Sequence, residues 1–286
     1  MRVLITGAEG MLGHDLSRAV RGGEHEVVEL DRTQLDVTEG ARTREVIAEA
    51  RPDVVINCAA WTDVDGAEAS EAEATAVNGD GAGNVAAAAY GAGAFVVQVS
   101  TDYVFDGRAD SPYSERAETN PLSAYGRSKL AGEHAVRKAA PEAHAIVRTS
   151  WLFGVAGPNF VATMLRLGAE RHEVTVVSDQ IGRPTYTGHL AAALVAIAEQ
   201  RPIGVLHVAG EGSCSWFDLA VATFERAGVD CAVRPGSTAE LGRPAPRPLY
   251  SVLGLTRPET PALAPWQEGL DEYLVARVGA AEVERT

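Results

Sequence analysis

Cysteine is scarce in this 286-residue chain. Cys58, Cys214 and Cys231 lie far apart and form no Cys-x-x-Cys pair, so neither a disulfide framework nor a zinc site is expected. Basic charge is short as well: 25 Lys and Arg stand against 39 Asp and Glu, a formal net charge of −14. Proteins that track nucleic acid cluster Lys and Arg, so that class of partner is excluded. An anionic small molecule is not, because a helix N-terminus or a few Arg residues can bind one on an acidic protein. No apolar stretch approaches the roughly 18 residues of a membrane span, so no membrane partner is expected. The opening apolar run is too short for the core of a secretory leader. The seven histidines form no metal-spaced set, and no metal site is expected among them. Few thiols and no leader together point to a reducing cytoplasm.

What is present is ordinary for a globular protein: 46% hydrophobic and 22% charged residues. Short β-rich runs at Val3–Thr6, Glu26–Leu30, Asp53–Asn57, Phe95–Ser100 and Ala143–Arg148 alternate with helical patterning. The helical stretches are Leu12–Arg21, Ala41–Ala50, Glu71–Tyr90 and Tyr125–Lys138. Alternation of this kind predicts a parallel sheet with right-handed crossovers and helices on both faces. The fold class is therefore α/β, a Rossmann doubly wound parallel sheet with a smaller C-terminal lobe. After about residue 150 the rhythm loosens. Residues 1–150 are expected to form the dinucleotide-binding domain and 151–286 mainly a substrate-binding lobe. The boundary is soft, since later strands can return to the first sheet. The proline-rich stretch Pro235–Pro265 reads as loop.

Gly7-Ala8-Glu9-Gly10-Met11-Leu12-Gly13 follows the first strand directly and opens a helix. Glycines there permit a tight turn and close approach of a pyrophosphate, to which the helix N-terminus offers free N–H groups. The second strand ends at Asp31, whose carboxylate can accept hydrogen bonds from both ribose hydroxyls of NAD and repels a 2′-phosphate. Arg32 has the chemistry to pair with such a phosphate or simply to stand in solvent. NADH is the preferred cofactor, with NADPH as an alternative. Asp36-Val37 and Ala59-Ala60-Trp61-Thr62 follow the second and third strands on the same sheet edge, where ligands of open α/β sheets bind.

Tyr125 and Lys129 fall at i and i+4 on a predicted helix and share a face. A phenol of ordinary pKa is a poor proton donor at neutral pH, and an adjacent ammonium stabilises the phenolate left behind. The same Lys can hydrogen-bond the nicotinamide ribose. Ser100-Thr101-Asp102-Tyr103 closes the fourth strand, where the Thr101 hydroxyl can polarise a carbonyl or bond the Tyr125 hydroxyl. Trp216 follows a helix-capping Ser213-Cys214-Ser215 and reads as structural. His207, in an apolar strand, reads as a satisfied interior His.

Gly7-x-x-Gly10-x-x-Gly13, Thr101 and Tyr125-x-x-x-Lys129 resemble the extended short-chain dehydrogenase/reductases. Ser100-Thr101-Asp102-Tyr103-Val104-Phe105-Asp106-Gly107, Arg148-Thr149-Ser150-Trp151 and Asp179-Gln180-Ile181-Gly182-Arg183-Pro184-Thr185 resemble one branch of them, the dTDP-4-dehydrorhamnose reductases. The resemblance covers nearly the whole chain. It implies reduction, with NADH or NADPH, of the C4 ketone of a dTDP-4-keto-6-deoxysugar, dTDP-4-dehydro-L-rhamnose, to dTDP-L-rhamnose. It carries the proton donor to Tyr125, its partner to Lys129 and the tuning hydroxyl to Thr101. Sugar-nucleotide contacts fall on Thr101, Asp102 and Trp151. Dinucleotide contacts fall on Gly10, Met11, Leu12, Asp31, Asp36, Val37, Ala59, Ala60 and Thr62. Some members form magnesium-bridged dimers through acidic residues. No clear equivalent is visible here, so magnesium and the choice between monomer and homodimer stay open.

Two rivals share the fold. A dehydratase needs a second acid after the catalytic Thr, and here Thr101-Asp102 is followed by Tyr103. A non-catalytic regulatory subunit tends to lose the Tyr or Lys, and both are present. A 4-ketoreductase for another dTDP-deoxysugar would use the same parts.

Overall fold

The computed structural model describes residues 1–283. The first half runs β1 (Arg2–Thr6), α1 (Met11–Gly22), β2 (Glu26–Leu30), α2 (Gly40–Ala50), β3 (Val54–Asn57), α3 (Val64–Ala69), α4 (Glu71–Thr75), α5 (Ala82–Gly91), β4 (Phe95–Thr101), α6 (Ala124–Ala139) and β5 (His144–Thr149). The second half runs β6 (Leu152–Phe153), α7 (Phe160–Glu170), β7 (Glu173–Val177), β8 (Ile181–Gly182), β9 (Thr185–Tyr186), α8 (Thr187–Gln200) and β10 (Gly204–His207). It ends with β11 (Cys214–Ser215), α9 (Trp216–Ala227), β12 (Ala232–Gly236), α10 (Thr238–Leu241) and α11 (Trp266–Val283). Among the described residues no helix is long and apolar enough to cross a membrane.

Six strands form one parallel sheet in the order β10-β5-β4-β3-β1-β2. Strand alternation divides its side chains between two apolar layers. Val3, Ile5, Val54, Ile56, Val97 and Val147 meet α1 and α8 on one face through Leu16, Leu190, Leu194 and Ile197. Leu4, Val55, Val96 and Ile146 meet α2, α5 and α6 on the other through Ile47, Val85, Ala89 and Val136. Both faces are covered, which is why these strands read as near-continuous apolar runs. The sixth strand, β10, comes from the second half and pairs in parallel with β5.

The expected helix over Glu71–Tyr90 is not continuous. A π-helical segment, Ala76–Gly81, separates α4 from α5. Its Asn78 accepts a hydrogen bond from Trp61 N at 2.9 Å and donates to Trp61 O at 3.1 Å and Ser128 Oγ at 2.9 Å. The widened turn thus ties the loop after β3 to α6. The proline-rich stretch is mostly loop, as expected, but carries the short α10.

A buried carboxylate joins three of these elements. Glu133 of α6 is fully buried and accepts hydrogen bonds from Ser100 Oγ of β4 at 2.7 Å and from Arg148 of β5 through Nε at 2.8 Å and Nη2 at 2.7 Å. Arg137 adds a bond at 3.0 Å. Burial alone would raise the Glu133 carboxyl, but the two guanidiniums and the Ser100 hydroxyl hold it below its ordinary value. Its stabilising contribution is therefore complete above pH 4.5 and is lost as pH falls below that, through the depressed value. Glu133→Ala should cost about 3–5 kcal/mol, because it strands the buried Arg148 charge. Urea denaturation at neutral pH checks the value. The double variant Glu133→Met/Arg148→Met should recover most of the loss.

Candidate active site

A cleft of about 1020 Å³ opens beyond the carboxyl ends of the strands. It lies at the point where the strand order reverses, between β1 and β3, which is where open α/β sheets bind ligands. Every candidate catalytic, dinucleotide or sugar-nucleotide residue named from the sequence lines it: Gly7, Gly10, Met11, Leu12, Gly13, Asp31, Asp36, Val37, Ala59, Ala60, Thr62, Thr101, Asp102, Tyr125, Lys129 and Trp151.

The β1–α1 turn forms one wall. Gly7 adopts φ 67°, and a Cβ there would stand 2.7 Å from Ala59 N. A Cβ on Gly13 would stand 2.3 Å from Gly7 O. Only glycines let this turn lie so close to the loop after β3. Gly10 caps α1 without a side-chain hydrogen bond, so the first helical N–H groups have no side chain covering them. A bare helix N-terminus set in a glycine cradle suits a diphosphate. Asp31 follows β2 directly. Its Oδ1 accepts from Thr33 N at 2.6 Å, Thr33 Oγ1 at 2.6 Å and Gln34 N at 2.9 Å. These bonds, led by the Thr33 hydroxyl, lower its pKa, so an anionic carboxylate lines the cleft beyond β2. Arg32 also lines the cleft, and its charge helps lower the Asp36 carboxyl behind the Thr38 hydrogen bonds.

The second wall carries the hydroxyl, the phenol and the amine. Ser123 caps α6 by accepting from Gly126 N at 3.1 Å. A Cβ at Gly126 would meet Tyr103 O at 2.3 Å, so the first turn of α6 lies hard against the segment after β4. This packing brings Tyr125 to Thr101, with the Tyr103 and Tyr125 rings edge to face at 5.8 Å. Burial pushes the Tyr125 phenol up to about 12, opposed by the Thr101 side chain and reinforced by the Asp102 charge. Burial likewise brings the Lys129 ammonium down to about 8, with Glu133 one turn behind opposing the fall. Lys129 Nζ donates to Val99 O at 2.7 Å. The sequence argument had the ammonium lowering the phenol. In the structure burial dominates the Tyr125 phenol, and one N–H of Lys129 is engaged by the strand carbonyl.

The third wall is aromatic. Trp151 adopts φ 49°, unusual for a non-glycine residue. It stacks on Trp216 with centroids 3.6 Å apart and planes within 6°. Phe160 packs against Trp216 at 4.5 Å, and both residues line the cleft. Trp216 thus lines the cleft as well as following the cap, in which Ser215 pairs with Asp218 in a capping box. The family-like stretches Arg148–Trp151 and Asp179–Thr185 are one assembly. Ser150 Oγ donates to Arg183 O at 2.7 Å, and Thr185 N donates to Trp151 O at 3.2 Å. Gln180 accepts from Trp216 Nε1 at 3.1 Å.

Sequence reasoning missed Trp216, Phe160, Asn78 and Glu133. The Lys129–Glu133 spacing of four was a usable signal, since it puts both on one helix face. The others meet the site only through tertiary contacts. His207 is interior as expected and bonds Gly254 O at 3.0 Å, but its Nε2 has no partner among the described residues. Cys58 packs at the core edge and also lines the cleft. Among the described residues no group of three or more His, Cys, Asp or Glu could hold a metal ion.

Sheet topology and cleft together define a Rossmann-type oxidoreductase. The family model described as RmlD substrate binding domain matches residues 1–278. A dTDP-4-dehydrorhamnose reductase of Streptomyces griseus is 46% identical over 289 residues, covering 98% of this chain and 95% of that protein. A dTDP-4-keto-6-deoxy-D-glucose reductase of Streptomyces niveus is 45% identical over 254 residues, covering 88% of each. A crystal structure of dTDP-4-dehydrorhamnose reductase from Bacillus anthracis in complex with NADP is 41% identical, with a TM-score of 0.93 over 96% of this chain and 99% of that one. The chain belongs to the dTDP-4-dehydrorhamnose reductase family.

The aromatic wall is directly testable. A Cβ at Gly182 would stand 2.4 Å from Trp151 Cε2, within the rigid ring. Gly182→Ala should separate the two stacked indoles, changing the near-ultraviolet circular dichroism while the far-ultraviolet spectrum stays that of the intact fold.

Proposed function

We propose that this protein reduces the C4 ketone of dTDP-4-dehydro-L-rhamnose to dTDP-L-rhamnose, a step in deoxysugar nucleotide biosynthesis. The observation that carries the reading is the convergence of Thr101, Tyr125 and Lys129 in one cleft with a glycine-lined helix N-terminus. A reduced nicotinamide dinucleotide supplies the hydride. Gly7, Gly10, Met11, Leu12 and Gly13 hold its diphosphate by backbone N–H groups. Asp31 takes a ribose, and Asp36, Val37, Ala59, Ala60 and Thr62 border the rest. Residues 1–150 thus serve the dinucleotide, and 151–286 mainly the sugar nucleotide.

Hydride transfer puts negative charge on the ketone oxygen, and the Tyr125 hydroxyl gives that oxygen a proton as the charge develops. Thr101 orients the phenol and polarises the carbonyl. Lys129 supplies the positive charge that a buried phenolate needs, which it keeps while donating to Val99 O. Trp151, backed by Trp216, walls the sugar. Asp31 favours NADH, and Arg32 on the same lining permits NADPH as well. Cytoplasmic residence, as monomer or homodimer, fits a biosynthetic role.

Tyr125→Phe keeps the ring and removes only the proton. Single-turnover NADH oxidation with the 4-keto sugar nucleotide should slow by about 10²- to 10⁴-fold while dinucleotide affinity holds. A rate within about threefold of the intact enzyme would move the donor elsewhere. Lys129→Met should impair both rate and dinucleotide affinity. Loss of the Lys129 charge should abolish turnover above about pH 8, an upper bound on the alkaline limb of the intact enzyme. NMR of the product separates L-rhamnose from another 6-deoxysugar, the reading that the Streptomyces niveus relative keeps in view.

Asp31→Ala should narrow any preference for NADH over NADPH. Comparing kcat/KM for the two dinucleotides checks this, and a strong preference for NADPH in the intact protein would point instead to Arg32.

A further inference from the structure

We propose that Asp102 works in this reduction as an uncharged carboxylic acid, presenting its proton as a hydrogen-bond donor to the sugar beside the ketone. The proposal rests on the ketoreductase reading above.

Asp102 opens the single 3₁₀ turn Asp102–Val104 after β4 and is 2% exposed, yet it lines the cleft. Its Oδ1 accepts from Thr101 Oγ1 at 3.1 Å. Its Oδ2 is buried without a hydrogen-bond partner among the described residues. The groups that act on the carboxyl are the Thr101 hydroxyl of β4, the Ser251 hydroxyl of the segment before α11, and the backbone of its own turn. The titratable groups that feel its charge are the Tyr103 and Tyr125 phenols. No cation is among them. Arg247, which reaches toward Tyr103, is itself held by both oxygens of Asp65 at 3.0 Å.

Glu133 provides an internal contrast. It is equally buried, but it accepts four hydrogen bonds, three of them from guanidiniums, and is built to stay ionised. Asp102 has no such compensation, and an uncompensated buried carboxylate costs several kcal/mol unless it takes up a proton. Burial accordingly raises it to about 7.

The neutral form suits the chemistry. Negative charge gathers on the ketone oxygen during hydride transfer, and a carboxylate nearby would oppose it. The same carboxylate charge holds the Tyr125 phenol up, making it a poorer donor. A carboxylic acid removes both penalties and adds a hydrogen bond. Proton stoichiometry is unchanged: Tyr125 gives its proton to the product oxygen, and Asp102 keeps its own.

The test combines kcat–pH profiles of the intact enzyme, Asp102→Asn and Asp102→Ala with infrared difference spectra of intact against Asp102→Asn protein. Asn keeps an uncharged donor, so at about pH 6 its rate should fall no more than about tenfold, the worth of one imperfect hydrogen bond. Its alkaline limb should move from about 7, set by Asp102, to about 8, set by Lys129. Asp102→Ala should lose about 100-fold at about pH 6, where the intact carboxyl holds its proton, and progressively less above 7. The intact protein should show a protonated carboxyl C=O band, absent from Asp102→Asn, that titrates away near 7. Absence of that band at about pH 6, or a loss in Asp102→Asn as deep as in Asp102→Ala, would overturn the proposal. Failure of the intact enzyme to reduce the sugar would overturn the ketoreductase reading instead, while the infrared band still reports the carboxyl's charge.

Discussion

The geometry of the cleft depends on where α6 lies against the end of β4, and a single carboxylate governs that contact. Glu133 accepts from Ser100 on β4 and from Arg148 on β5, and it stands one turn below Lys129 on the helix. Ser100 adjoins Thr101, and Val99 supplies the carbonyl that receives Lys129. A shift of α6 along the sheet would break these bonds together and leave charges in a dry interior, so the helix has one favourable position. The three side chains of the second wall inherit it. Tyr125 and Lys129 are carried by the helix and Thr101 by the strand.

The dinucleotide end is organised by a different constraint, close backbone approach. The turn after β1 and the loop after β3 come together at the reversal in strand order, where no side chain fits between them. Empty space for a ligand and bare helix N–H groups arise at the same place. A net charge of −14 does not prevent such a place from receiving an anion, because backbone dipoles are insensitive to the sum of side-chain charges. Asp31 stands beside them with its carboxylate anionic.

Much of this was legible before any coordinates. Apolar runs of strand length between helical patterns identified the five strands of the first half within a residue or two, because burial on both faces leaves little choice of side chain. The glycine turn and the Tyr125–Lys129 spacing were equally visible, since each is a local pattern with a local cause. The broken helix at Ala76–Gly81 was not visible. Its π turn is set by the bonds Asn78 makes to Trp61 and Ser128, 17 and 50 residues away. Trp216 was assigned a capping neighbour and nothing more, because its partner Trp151 is distant in the chain.

The sequence by itself determined the fold class, the dinucleotide turn and the identity of the groups available for chemistry, all of which follow from periodicity and short-range spacing. Only the tertiary structure decided the state of those groups. Burial raises Tyr125 and lowers Lys129, Val99 engages the amine, and the surroundings of Asp102 and Glu133 give two buried carboxyls opposite environments. Charge state depends on solvent exclusion and on partners brought from other elements, and neither is a property of a residue's neighbours in sequence.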